Sequence, residues 1–274
     1  MRLSSHLFCP PAVHSRVLFI VRFEVLGIET IYIASSIGKV ISFPASVFGC
    51  GHQNHGKYSG LAQGVVGLGG GLLSLVSQLK PKIEYKFSYC LLPWDAIFNS
   101  KIRFGHKAKT SNAKVVSTPM INKHPATFYY VSLKSITIGN NRRKMSRNPG
   151  NIIIDSGTTL TMLHSSMYKD LEDIVKKEIG ISPIPDPTKV LSLCYRTRSV
   201  LDINFPEMIF HFNGANLRLP PTNIFLEYHN LYCMMIVPND RISICGRISQ
   251  ANFQVEYDIL NRQVSFVSAD CSIF

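Results

Sequence analysis

The stretch Ile152-Ile153-Ile154-Asp155-Ser156-Gly157-Thr158-Thr159 decides how the rest of this chain is read. Three consecutive β-branched residues predict a short strand buried on both faces. The aspartate at its end runs into a Ser-Gly-Thr-Thr turn, which surrounds a carboxylate with hydroxyl and amide donors. Gly157 lets the backbone approach that carboxylate closely. An ordinary Asp capping a turn carries the same triplet. The hydrophobic triple before it and the two threonines after it bring a catalytic reading level with capping.

Working outward, short β-rich runs bounded by Gly, Asn and Pro fill most of the sequence. They include residues 30–33, 47–49, 128–131, 135–138, 151–154, 208–212 and 263–267. Two stretches have helical spacing. Residues 73–79 stop before Pro81, and residues 167–179 place Leu171, Ile174 and Val175 on one face before Gly180. The acids of this second stretch come early and its lysines late, as the helix dipole prefers. A polar stretch at 107–114 marks a lobe boundary. Gly64-Val65-Val66-Gly67 and Ile244-Cys245-Gly246 echo each other, each a pair of buried-type residues leading into a glycine.

Composition removes several function classes. The chain has 274 residues, a formal charge of +12, 46% hydrophobic and 17% charged residues, so a packed core is expected and not disorder. The early apolar run Val17-Leu18-Phe19-Ile20-Val21 is far short of the about 20 residues a membrane span needs. Met1-Arg2 is followed by Cys9-Pro10-Pro11, His14 and Arg16, which makes no convincing signal peptide. Cations gather at 101–109 and at Arg142-Arg143-Lys144 with Arg147, without the interleaved aromatics of a single-strand binder. Solvated edges explain them, and no nucleic acid is expected. The seven cysteines form no CxxC, and Cys50 with His52 and His55 lacks a fourth ligand, so neither metal nor cofactor is expected.

Further segments stand in order around the Asp155 motif. They are Phe48-Gly49-Cys50-Gly51-His52, the Gly64-to-Gly71 run with Ser74-Leu75 and Ser77-Gln78-Leu79, Phe87-Ser88-Tyr89-Cys90, Val116-Ser117-Thr118-Pro119, Phe205-Pro206 and Tyr257-Asp258. On these the chain resembles the pepsin-like aspartic proteases, in their plant nepenthesin-like branch. The glycine run is then no phosphate cradle, and it also lacks the Lys-Ser/Thr of a P-loop.

The resemblance implies a mostly β, bilobal pepsin-like acid protease fold. Residues 1–24 match nothing, 25–113 form a partial N-terminal lobe, and 114–274 form a complete C-terminal lobe. It implies two carboxylates that share a proton and activate water on a protein or peptide substrate, each from its own D-[ST]-G motif. By this resemblance Asp155 is expected to be the second-lobe catalytic residue. Ser156, Gly157, Thr158 and Thr159 support it, with Ser156 in the hydroxyl lattice between lobes and Thr158 on the outer carboxylate oxygen. Of the nine aspartates only Asp155 has the motif, so the first catalytic Asp and the flap are expected to be missing and activity impaired.

By the same resemblance Cys90 pairs with Cys271 and Cys194 with Cys233, Cys245 is a buried thiol, and the usual partner of Cys50 is absent. A monomer in the secretory pathway or outside the cell is implied. Arg247 departs from the small polar residue expected after Ile-x-Gly and is flagged as a bulky cation able to disturb packing behind the catalytic loop. An inactive binding or inhibitor-like protein on the same fold is the alternative function, and a basic polyanion binder is more distant.

Overall fold

Strand-forming runs separated by tight turns give a molecule that is mostly β with few helices. The computed structural model describes residues 2–3, 24–34, 38–51, 65–110 and 114–274. Cys9, His52, His55, Gly64 and almost all of the unmatched segment 1–24 lie outside them. The chain divides into two compact units, Met1–Tyr85 and Lys86–Phe274.

In the first unit, strands Glu24–Ala34 and Val40–Gly51 pair antiparallel, with an irregularity between Glu29 and Ile31. The strands expected at 30–33 and 47–49 lie within them. The helix Leu75–Leu79 is shorter than the expected 73–79 because Ser74 caps it, its side chain accepting from the Ser77 N–H. Gln78 then receives the N–H of Val47 and donates to its carbonyl, tying the helix to the hairpin.

The second unit holds four sheets. One orders Lys101–Phe104, Lys86–Cys90, Phe253–Asp258, Gln263–Ser268 and Val116–Pro119. The polar stretch at 107–114 therefore joins the two edge strands of a single sheet. A four-stranded sheet orders Asn216–Leu219, Met208–Phe212, Leu133–Ile138 and Asn141–Lys144. Its last strand carries Arg142, Arg143 and Lys144, all exposed, so this basic cluster decorates a sheet edge. The helix Ser165–Ile179 buries Tyr168, Leu171, Ile174, Val175 and Ile179 and ends at Gly180, whose φ of 69° suits glycine. It begins two residues earlier than its apolar spacing suggests, so its first turn contains no acid.

The central sheet positions the Asp155 motif. Its order is Ile236–Pro238, Thr161–Leu163, Ser243–Cys245, Ile152–Ile154 and Tyr130–Val131. Ile152, Ile153 and Ile154 are all buried, as a strand covered on both faces requires. They run parallel to Ser243–Cys245, with Ile154 opposite Cys245. Tyr130–Val131 is shorter than the run 128–131, because only Tyr130 and Val131 find ladder partners on Ile152–Ile154.

Beyond these strands the loops that follow Ile154 and Cys245 interlock. The Asp155 N–H donates to the Cys245 carbonyl at 3.1 Å, and the N–H groups of Arg247 and Ile248 donate to the carbonyls of Thr158 and Thr159 at 2.7 and 3.2 Å. Gly246 donates to the Thr161 hydroxyl at 3.1 Å. A Cβ on Gly246 would stand 2.2 Å from the Leu160 carbonyl oxygen, so only glycine fits the crossing.

Two disulfides brace this unit, Cys90–Cys271 and Cys194–Cys233. The first closes a separation of 181 residues, which in the chain-entropy model stabilises by about 5 kcal/mol. Cys194 and Cys233 pack with Leu191, Leu231, Met235 and Ile248, beside a loop held by buried Asp186. Burial raises the Asp186 carboxyl, but donors from Thr188, Leu191 and Val190 outweigh it and hold it down at about 2.

Gly246→Ala is expected to destabilise by at least about 3 kcal/mol, because a rigid backbone crossing cannot relax around the methyl; chemical denaturation of the variant measures it. Asp186 has a folded pKa below its unfolded one of about 3.9, so its stabilisation is present above that pH and is lost as pH falls through about 2. Asp186→Asn is therefore less stable than the parent at neutral pH, and denaturation midpoints of the two converge as the medium is acidified from about pH 4 to about pH 2.

Candidate active site

Asp155 leaves the Ile152–Ile154 strand where the interlock begins, so its backbone is held before its side chain finds partners. The Gly157 N–H donates to Oδ1 at 2.8 Å, and the Thr158 hydroxyl donates to Oδ2 at 2.6 Å. One donor on each oxygen sets the plane of the carboxylate while leaving lone pairs for a further donor. A Cβ on Gly157 would stand 3.2 Å from Oδ1, so the small residue keeps the turn tight against the acid. Asp155, Ser156 and Thr158 are half-buried, and Gly157 and Thr159 are exposed. The carboxylate is thus fixed in direction and reachable from solvent.

Thr158 and Thr159 serve with their backbone as well, since their carbonyls receive the Arg247 and Ile248 amides. Thr161 lies just past the motif and was not singled out in the sequence. Its hydroxyl accepts from Gly246 and sits 2.7 Å from the Ser249 hydroxyl, locking the second loop to the first. A threonine at the start of a strand carries no sequence signal that separates this role from β propensity.

Arg247 buries one guanidinium nitrogen, Nη1, without a hydrogen-bond partner. Its backbone keeps the bond to Thr158, and the guanidinium lies over the Trp94 ring at 5.2 Å while Nη2 donates to the Leu92 carbonyl at 3.3 Å. Partial burial lowers its pKa. Cys245, opposite Ile154, is a buried free thiol whose pKa burial pushes up to about 12, so it stays neutral and is no nucleophile. Cys50 is disulfide-bonded.

Under the Asp155 loop lie Tyr89, Tyr257 and Gln250, all buried. Burial pushes both phenols well above their ordinary value. The tyrosines were legible as parts of motifs, but nothing in the sequence assigned them to this loop, and Gln250 carried no signal at all. Among the described residues no group of three or more His, Cys, Asp or Glu is placed to hold a metal ion, and no helix is long and apolar enough to cross a membrane.

Comparison with known proteins gives this geometry a family. Residues 22–106 match the family described as Xylanase inhibitor N-terminal, and residues 128–268 match Xylanase inhibitor C-terminal. A probable aspartic protease of Arabidopsis thaliana is 40% identical over 265 residues, covering 89% of this chain and 59% of that protein. Aspartic proteinase nepenthesin-1 of Nepenthes gracilis is 34% identical over 259 residues, covering 90% of this chain and 57% of that protein. The chain thus spans less than two thirds of the length of these relatives. Among solved structures, basic 7S globulin from soybean shares the fold with a TM-score of 0.73 at 20% identity, over 91% of this chain and 72% of that one. With a three-isoleucine strand leading into Asp155, a glycine-only crossing behind it and family matches over both parts of the sequence, the chain belongs to the pepsin-like family of xylanase-inhibitor type, alongside the plant aspartic proteases.

Proposed function

We propose that this chain is an aspartic-endopeptidase homologue in which Asp155 is one carboxylate of a water-activating pair. The observation that carries this reading is the orientation of the Asp155 carboxylate by the Gly157 amide and the Thr158 hydroxyl. A general base must face its water in a set direction, and this acid is both fixed and accessible. Ser156 is assigned to the hydroxyl lattice and Thr159 to loop support. Residues 25–113 are assigned to a partial N-terminal lobe and 114–274 to a C-terminal lobe, with the family matches at 22–106 and 128–268 in support.

The substrate is a protein or peptide, as the names of the relatives suggest. The Cys90–Cys271 and Cys194–Cys233 disulfides suit an oxidising compartment and support a secreted location. Since no second aspartate carries a D-[ST]-G motif, these 274 residues alone are proposed to hydrolyse peptides weakly. That same count favours a second reading, an inactive protein that binds through the fold.

Incubation of the purified chain with a denatured protein at acidic pH, with and without pepstatin, tests both. Slow, pepstatin-sensitive cleavage that is abolished in Asp155→Ala is the expected result. Cleavage that survives this substitution overturns the role of Asp155, and a folded chain that cleaves nothing leaves the binding reading.

A further inference from the structure

A buried polar chain runs from the sheet containing Tyr89 and Tyr257 to the loop that carries Asp155. Tyr89 and Tyr257 lie on the paired strands Lys86–Cys90 and Phe253–Asp258, and their hydroxyls are 3.0 Å apart. The Tyr89 hydroxyl donates to Gln250 Oε1. From the other end of the same amide, Nε2 donates to the Cys245 carbonyl at 2.8 Å and to the Gly246 carbonyl at 3.2 Å. The Cys245 carbonyl is the one that also receives the Asp155 N–H. Gln250 is fully buried, and Tyr89 and Tyr257 are nearly so.

This arrangement does more than fill space. Phenylalanine and an apolar side chain would pack the same volume without burying an amide and two hydroxyls, each of which must then find partners. The two carbonyls that the amide grips belong to the peptides on either side of the Gly246 Cα, just before the Arg247 and Ile248 amides that bond Thr158 and Thr159. A carbonyl oxygen has two lone pairs, and at Cys245 one goes to Asp155 and the other to Gln250. Gln250, itself bonded by Tyr89, thus shares with the Asp155 amide the Cys245 carbonyl that anchors it.

We propose that Tyr89 and Gln250, backed by Tyr257, are positioning residues for Asp155: they fix the Cys245-Gly246 segment that aims the carboxylate. The proposal rests on the reading of Asp155 as the reactive acid, but its test does not need turnover. Tyr89→Phe and Gln250→Met are made in the full chain, with Tyr168→Phe as a control that deletes another phenol hydroxyl, the one bonded to Ser192. Amide hydrogen exchange and amide chemical shifts are followed by NMR.

Exchange of the Asp155 and Arg247 amides is expected to quicken about tenfold in both test variants, a local opening that leaves the amides of Met208–Phe212 unchanged. The Gly157 amide, which donates to the carboxylate, moves upfield as that bond loosens, and Tyr168→Phe alters none of these signals. Unaltered Asp155, Arg247 and Gly157 signals in folded variants overturn the proposal, as does an equal acceleration across all strands or the same changes in the control. If Gln250→Met does not fold, Tyr89→Phe decides alone. Because no peptide is cleaved in this measurement, a failure of hydrolysis counts against the catalytic role of Asp155, whereas unmoved resonances count against positioning.

Discussion

Where Gly246 crosses the Leu160-Thr161 peptide, a methyl group would stand 2.2 Å from a carbonyl oxygen, and the arrangement of the second unit around Asp155 follows from that approach. Two loops from distant parts of the sequence can exchange backbone hydrogen bonds only if they come this close. The Asp155 amide reaches Cys245, and the Arg247 and Ile248 amides reach Thr158 and Thr159. The parallel pairing of Ile152–Ile154 with Ser243–Cys245 delivers both loops to the same end of the sheet. Burial of those strands on both faces makes their register costly to shift, because a slip would carry an isoleucine away from its packed neighbours.

Rigidity is distributed unevenly around this crossing. Behind the loop, burial and hydrogen bonding coincide in Gln250 and the two tyrosines, so the polar groups there have one arrangement that satisfies them. In front, Asp155 keeps partial exposure and two donors, which leaves its carboxylate reachable from solvent. The Cys194–Cys233 disulfide and the Asp186 loop hold one flank, and the Cys90–Cys271 disulfide holds the strand that carries Tyr89. The accessible Asp155 carboxylate is thus backed by a fully bonded polar arrangement.

Much of this was readable before any coordinates. Three adjacent isoleucines imply a strand buried on both faces, and the strand is there with all three buried. The apolar spacing of Leu171, Ile174 and Val175 located the long helix, though its first two residues, both serines, have no such spacing and were missed. Arg247 was the instructive case. Its size suggests disturbed packing, and Nη1 is indeed buried without a partner, but the ring it lies over, Trp94, is more than 150 residues away in sequence where no local pattern reveals it. Gln250 escaped for a similar reason: its partners are two backbone carbonyls and a phenol brought together by the fold.

Local chemistry in the sequence was enough to specify the periodic elements, the turn donors around Asp155 and the need for glycine near it. These depend on residues within a few positions of one another, so spacing encodes them. Which carbonyl faces which amide across Gly246, and which buried hydroxyl braces it, depends on contacts between segments separated by about 90 residues, as between Asp155 and Cys245, or about 160, as between Tyr89 and Gln250. Such contacts exist only after the strands have paired, because hydrogen bonds are directional over fractions of an ångström and no local pattern carries that precision.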